Sequence, residues 1–290
     1  IKVPPSLDEH SFEQVLEQVA GIPEDARMLL DARHTKWASP YGLSALLTLG
    51  QTRDRARATL AVPDADDTLS YWVRSNFFYY ADEYFDLKGI VPKRSPAGDS
   101  QLLLPITPVS KSEDVHEVVG HIQDKAQEII AKELKLDPKA IVGFAMTLSE
   151  VCQNIIEHAG RGGWVMVQTY TWRKRLGRRV VVIAVCDAGV GFRASLESSG
   201  HRPPSDRLDD ATALEAAVIR GVSRFPNPGR GQGLAGARKY IGRWDGKLWV
   251  RSGTARIAIV PDWDDDVPLL EGLPAFPGAQ IQVTIPERVA

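Results

Sequence analysis

Glu150, Asn154 and His158 recur at a spacing of four within Thr147–Gly160, TLSEVCQNIIEHAG. Four residues is just over one helical turn, so the three stack along one helical face. The rest of the stretch is apolar, with Leu148, Val151, Cys152, Ile155, Ile156 and Ala159. A carboxylate on such a face can take a proton as a general base. An amide oxygen is a hard ligand of the kind that suits a cation. Taken alone, Glu150 and Asn154 are better explained as a polar pair facing solvent. His158 fits an ordinary core or helix-end histidine equally well.

Two glycine stretches add context. GVGFRA, Gly189 to Ala194, follows the apolar run RVVVIAVCD, and GQGLAG, Gly231 to Gly236, opens a helical pattern. A dinucleotide fingerprint needs strand, turn and helix together, with an acid after a second strand. After Gly191 the chain becomes SLESSGHRPPSDRLDD, which is no strand. Before Gly231 lies FPNPGR, also no strand. Each stretch has half of the required setting. No GxxxxGK[ST] occurs, so a P-loop is excluded.

The order of the elements is more specific than any one motif. A helix carries Glu150 and Asn154, a strand ends in VCDAGVGF, the loop GRGQGL enters a helix, and GAQIQVTIP closes the chain as a strand. Over Ser112 to the C-terminus this resembles the ATPase superfamily of gyrase, Hsp90, histidine kinases and MutL (GHKL). The resemblance implies a two-layer α/β sandwich of the Bergerat type that binds ATP and Mg²⁺. It implies that Glu150 is catalytic, Asn154 holds the metal, and Asp187 accepts from the adenine amino group. Gly189 and Gly191 would let backbone and base approach closely. Gly231 and Gly233 would turn their amides to the phosphates at the positive end of a helix dipole. Arg230, Leu234 and His158 complete the expected nucleotide site, and Arg193 to Arg230 would form a lid. Glu157 stands where histidine kinases carry lysine. NIIEHAG looks more like the anti-sigma-factor serine kinases, with a histidine four after the Asn. That branch implies a protein partner and a kinase-like or ATPase switch. The alternative is a non-catalytic, nucleotide-gated interaction module.

The elements that must position these residues fall in two segments. The first reads as α/β: helices at SFEQVLEQVAG, YGLSALLTLGQTRDRA and DTLSYWVRSNFFYYADEYF, and strands at RMLLDA and RATLAV. The aromatics of the third helix are expected in the core. RMLLDARHTKWASPYGLSALLTL is similar to the STAS domain of anti-sigma-factor antagonists, although only Gly42 and Leu43 match its turn motif and Pro40 stands at the phosphoacceptor position. LKGIVPKRSPAGDSQ reads as a loop. The expected division is a STAS-like domain over 1–87, a linker over 88–111 and an ATP-binding domain over 112–290. The second segment holds helices and a mostly antiparallel sheet, a sandwich rather than a doubly wound fold.

Composition sets outer bounds. The 290 residues are 43% hydrophobic and 25% charged, as in soluble globular chains. A net charge of −2 gives no bulk surface for nucleic acid. No apolar run suffices to cross a bilayer. Cys152 and Cys186 sit in apolar runs and read as reduced core thiols, which points to the cytoplasm. Homodimerisation stays open.

Overall fold

The computed structural model describes residues 1–23, 25–53, 56–92, 102–111, 113–121, 138–154, 162–172, 176–198, 208–222 and 233–288. The first segment builds a small parallel sheet. β2 (Leu29–Asp31), β4 (Ala58–Ala61) and β5 (Phe85–Lys88) pair in that order, all parallel. A second pair joins β1 (Ser6–Leu7) to β3 (Trp37–Ala38). Four helices accompany them: α1 (Phe12–Val19), α2 (Pro40–Gln51), α3 (Asp66–Arg74) and α4 (Phe77–Tyr84).

α2 decides how the two segments meet. Ser39 caps it by accepting from Gly42 N–H at 3.0 Å, and Pro40 occupies its first turn. Every residue from Pro40 to Gly50 is buried, and a helix apolar all round must be covered all round. One side of α2 packs within the first segment, where a Cβ on Gly42 would lie 2.7 Å from the Leu7 side chain. The other side lies on the large sheet of the second segment, against β7 and β8.

That sheet has seven antiparallel strands in the order β11-β10-β9-β12-β8-β7-β6. They are β6 (Leu102–Val109), β7 (Gly163–Trp172), β8 (Arg178–Asp187), β9 (Lys247–Gly253), β10 (Ala255–Ile259), β11 (Leu269–Leu270) and β12 (Phe276–Pro286). Side chains alternate between its faces. Val181, Ile183, Val185, Val250 and Ile281 join one core with the helices of the second segment. Ala184, Cys186, Trp164, Met166 and Trp249 join another with the first segment. Trp249 meets Tyr41 edge-on at 5.0 Å, and Trp164 Nε1 donates to Gln51 Oε1 at 3.0 Å. The helices on the first face are α5 (113–121), α6 (Pro138–Asn154), α7 (Gly191–Ser198), α8 (Asp210–Leu214), running on as a π-helical turn over Glu215–Ile219, and α9 (Gly233–Arg243).

The α/β sandwich expected for the second segment is the one observed. Several local expectations change. The aromatic helix over 67–85 is two helices, because Asn76 takes a left-handed conformation at φ 64° between α3 and α4. Its aromatics are core at Trp72, Phe77, Phe78 and Phe85, while Tyr79 is 78% exposed. LKGIV, read as the start of a loop, begins in β5. Leu102–Val109, inside the stretch read as a linker, form β6 at the edge of the large sheet. Within the stretch expected as a lid, α8 gives way after Leu214 to the π-helical turn, which ends at Ile219. Cys152 and Cys186 are free and buried, as expected. Among the described residues no helix is long and apolar enough to cross a membrane.

Candidate functional site

Asp187 is the last residue of β8, and it is buried. Its carboxylate accepts the backbone N–H of Gly189 at 2.8 Å and that of Ala279. Its own carbonyl accepts Gln280 Nε2 at 3.1 Å. Burial raises its pKa from an ordinary 3.8 to about 7, and the two backbone donors offset only part of that rise. Among the described residues, the hydrogen bonds its carboxylate accepts come from backbone N–H groups, with no cation among the donors.

The turn after Asp187 is built around glycine. Gly191 has φ +75°, and a Cβ there would lie 2.6 Å from Ser252 Oγ and 3.0 Å from the Gly278 carbonyl. Gly278 has φ +80° and sits directly against Asp187; a Cβ would lie 2.6 Å from its Oδ1. Ser252 Oγ accepts from Phe192 N–H at 3.1 Å and donates to the Gly278 carbonyl at 2.7 Å. The sequence motifs held Gly189 and Gly191. They gave no role to Gly278 or Gln280, although both lie in GAQIQVTIP, and nothing marked Ser252 in KLWVRSG.

α6 and α9 pack antiparallel. A Cβ on Gly143, near the start of α6, would lie 2.9 Å from Trp244 and 3.2 Å from Tyr240, at the end of α9. Asn154, the last residue of α6, and Gly233, the first of α9, are therefore at the same end of the helix pair. Glu150 lies one turn before that end. It is half-buried and lines a groove of about 380 Å³ with Met146, Thr147, Lys239, Tyr240 and Arg243. Leu234 is buried behind the start of α9. Arg230, Gly231 and His158 lie outside the described residues. So do 199–207 and 223–230 of the stretch expected as a lid. Its described parts are packed: Leu196, Ala211, Leu214 and Val218 belong to the core, and Arg193 pairs with Glu197 at 3.1 Å.

The residues present suit a nucleotide. Gly191 and Gly278 form a cradle that side chains would fill. The 11-residue α9 opens on glycine and has no acidic residue in its first turn, which leaves its positive end to an anion. Among the described residues no cluster of three or more His, Cys, Asp and Glu could hold a metal ion. A Mg²⁺ carried on phosphates needs no such cluster, only one or two hard protein oxygens of the kind Asn154 has.

A buried acid at a strand end, a glycine turn beside it and a helix N-terminus level with the end of a second helix all belong to one α/β sandwich. A family model for histidine kinase-, DNA gyrase B- and HSP90-like ATPases matches residues 140–288. The chain belongs to that family, whose domain binds ATP and carries ATPase- or kinase-type activity. No curated protein matches the chain.

Proposed function

We propose that the chain is an ATP·Mg²⁺-dependent regulatory protein that acts on a protein partner as a serine-kinase-like or ATPase switch. The observation that carries this is the placement of Glu150 on a groove wall one turn from the shared end of α6 and α9. In this reading Asp187 accepts from the adenine amino group and Gly189 and Gly191 admit the base. The phosphates are assigned to Gly233, Leu234 and the preceding Arg230 and Gly231. The metal-bound triphosphate is assigned to Asn154 and His158. Mg²⁺ would supply charge neutralisation on the phosphates. Glu150 orients the attacking hydroxyl or water and takes its proton. The two buried free thiols suit a reducing cytoplasm.

The identity of the acceptor separates the two forms of switch. The first segment offers none at the turn that resembles a STAS motif: Pro40 is buried there, and Ser39 Oγ is engaged in capping α2. The acceptor is then another residue of the chain, a separate protein or water. γ-Labelled ATP, followed for both free phosphate and labelled protein, decides. Labelled partner marks a kinase, and free phosphate alone marks an ATPase switch. Binding without either product, with every partner tried, overturns both in favour of a nucleotide-gated module.

Two further results are expected. The adenine amino group donates to the ionised form of Asp187, so binding favours ionisation and releases a proton. ATP affinity is full above about pH 7 and falls up to about tenfold per unit below it. Asp187→Asn keeps an acceptor and loses the titration, so its slope records ATP's own protonation alone. Calorimetry on both chains between pH 5.5 and 8, conditions chosen to span about pH 7, gives the difference; equal slopes exclude the assignment. The empty protein behaves oppositely. A carboxyl raised by folding stabilises the fold below its unfolded pKa, and that contribution is lost as pH rises through about 7.

The second concerns the metal. Asn154→Ala removes one oxygen from a cation, a contact in the range of about 1.5–3 kcal/mol found for bonds to charged groups. The gain in ATP affinity on adding Mg²⁺ should shrink by about 10- to 100-fold, with binding in EDTA and the melting temperature unchanged. A native protein whose ATP affinity ignores Mg²⁺ removes Asn154 from this role.

A further inference from the structure

Arg251 and Ser252 are consecutive on β9 and so face opposite sides of the sheet. Ser252 faces the nucleotide side, where it joins Phe192 N–H to the Gly278 carbonyl. Arg251 faces the first segment and is fully buried. Its guanidinium meets Glu13 of α1 in two bonds, Nε to Oε1 at 2.7 Å and Nη2 to Oε2 at 3.2 Å. Its other N–H groups donate to the carbonyls of Gly253 at 3.1 Å and Pro274 at 2.5 Å. Gln280 is Arg251's cross-strand partner on β12. It too is fully buried, and its Nε2 donates to the carbonyls of Asp187 at 3.1 Å and Pro277 at 2.9 Å.

The Asp187 turn is thus clasped by two strands, β9 and β12. Where those strands lie side by side, a charge from α1 fixes them on the far face. The seam between the segments is not sealed like an apolar core at this point. Tyr41 Oη, Trp249 Nε1, Gln280 Oε1 and Gln282 Oε1 are all buried there with no hydrogen-bond partner among the described residues. Unpaired polar atoms weaken a buried contact, and a seam that contains them opens more readily than a dry one.

We propose that Ser252 and Gln280 are positioning residues for the nucleotide turn, and that Glu13, acting through Arg251, lets the first segment set ATP affinity across the sheet without touching ATP. This rests on the assignment of the Asp187 turn to adenine. Losing Glu13 leaves a guanidinium buried without its counter-charge. Arg251 must then move, β9 moves with it, and the Ser252 clasp on Phe192 loosens. A partner that draws α1 away from the sheet would act in the same direction.

The test is a double-mutant cycle read by calorimetry with ATP and GTP, beside thermal melts. Ser252→Ala should weaken ATP about tenfold, the scale of one buried hydrogen bond to a positioned group. It should also lower the preference for ATP over GTP, which a general loss of stability would not do. Glu13→Gln should weaken ATP several-fold. The double variant should be no weaker than Ser252→Ala alone, because both act through one clasp. Since a lone buried charge can unfold a chain, Glu13→Leu with Arg251→Met provides a second route: apolar replacement of a buried pair usually preserves folding. That pair should melt like the native protein and still bind ATP several-fold more weakly. Arg33→Ala, which breaks the exposed Arg33–Asp31 pair of the same segment, should leave affinity unchanged. Native affinity in the apolar pair, or strict additivity in the cycle, overturns the coupling. Native affinity and selectivity in Ser252→Ala overturn the positioning role. A native protein that binds ATP and GTP equally would instead remove the adenine assignment beneath both.

Discussion

Glu150→Ala is expected to lower phosphate release or transfer from ATP by about 10²–10⁴-fold, the contribution of a positioned general base, while ATP binds as well as before. The expectation follows from where the side chain lies. Glu150 is on α6, half-buried, against α9 residues Lys239, Tyr240 and Arg243. The phosphates are assigned one turn further on, where Asn154 and Gly233 share an end of the helix pair. A group placed beside the phosphates rather than beneath the base handles the proton of the attacking oxygen and holds little of the nucleotide. Removing its negative charge from the vicinity of a γ-phosphate favours binding slightly, if it has any effect. Native and variant chains are compared in one assay with γ-labelled ATP, with affinity measured separately by calorimetry. A joint fall in affinity and turnover would recast Glu150 as a binding residue. Unchanged turnover would pass the role of base to Glu157 or His158 on the same sequence stretch.

What the sequence made legible follows from how local each determinant is. Gly191 announced itself because a turn with φ near +75° favours glycine, and the strand before it was an unbroken apolar run. That same run carried a second message. RVVVIAVCD is apolar at consecutive positions, which a strand needs only when both of its faces are buried. The covering layer, α2 with its fully buried Pro40–Gly50, could have been sought from that fact alone. β6 was obscured by Pro105 and Pro108, which argue against a central strand but are tolerated at an edge, where β6 lies. β5 is four residues long and exists by pairing with β4, so nothing local marks it. α7 was taken for polar lid although Phe192 and Leu196 stand one helical turn apart and both enter the core. The least legible determinants are Ser252, Gln280 and Gly278. Each acts on a turn remote in sequence, and a serine, a glutamine or a glycine in a strand says nothing about what lies across the sheet.

Gly278→Ala is expected to be the most damaging small substitution in the nucleotide site. Two costs combine. At φ +80° an L-residue is strained by roughly 1–2 kcal/mol. The new methyl group also lands against the Asp187 backbone and 2.6 Å from its Oδ1. Neither neighbour can yield cheaply, because Gln280 holds the Asp187 carbonyl and Gly189 and Ala279 hold its carboxylate. Overpacking of this kind costs about 1–3 kcal/mol. The sum, on the order of 2–5 kcal/mol, corresponds to a fall in melting temperature of roughly 5–15 °C for a chain of this size. ATP affinity should drop about 10²-fold or more, because relief of the clash displaces the very carboxylate assigned to adenine. Gly272→Ala separates the two costs. Gly272 also has a positive φ, +70°, but nothing lies within 4 Å of its Cβ position. It should lose only the backbone share, a few degrees in melting temperature, and bind ATP as the native protein does. If the two variants melt and bind alike, Asp187 is free to move, and a turn that gives way so easily cannot be what selects the base.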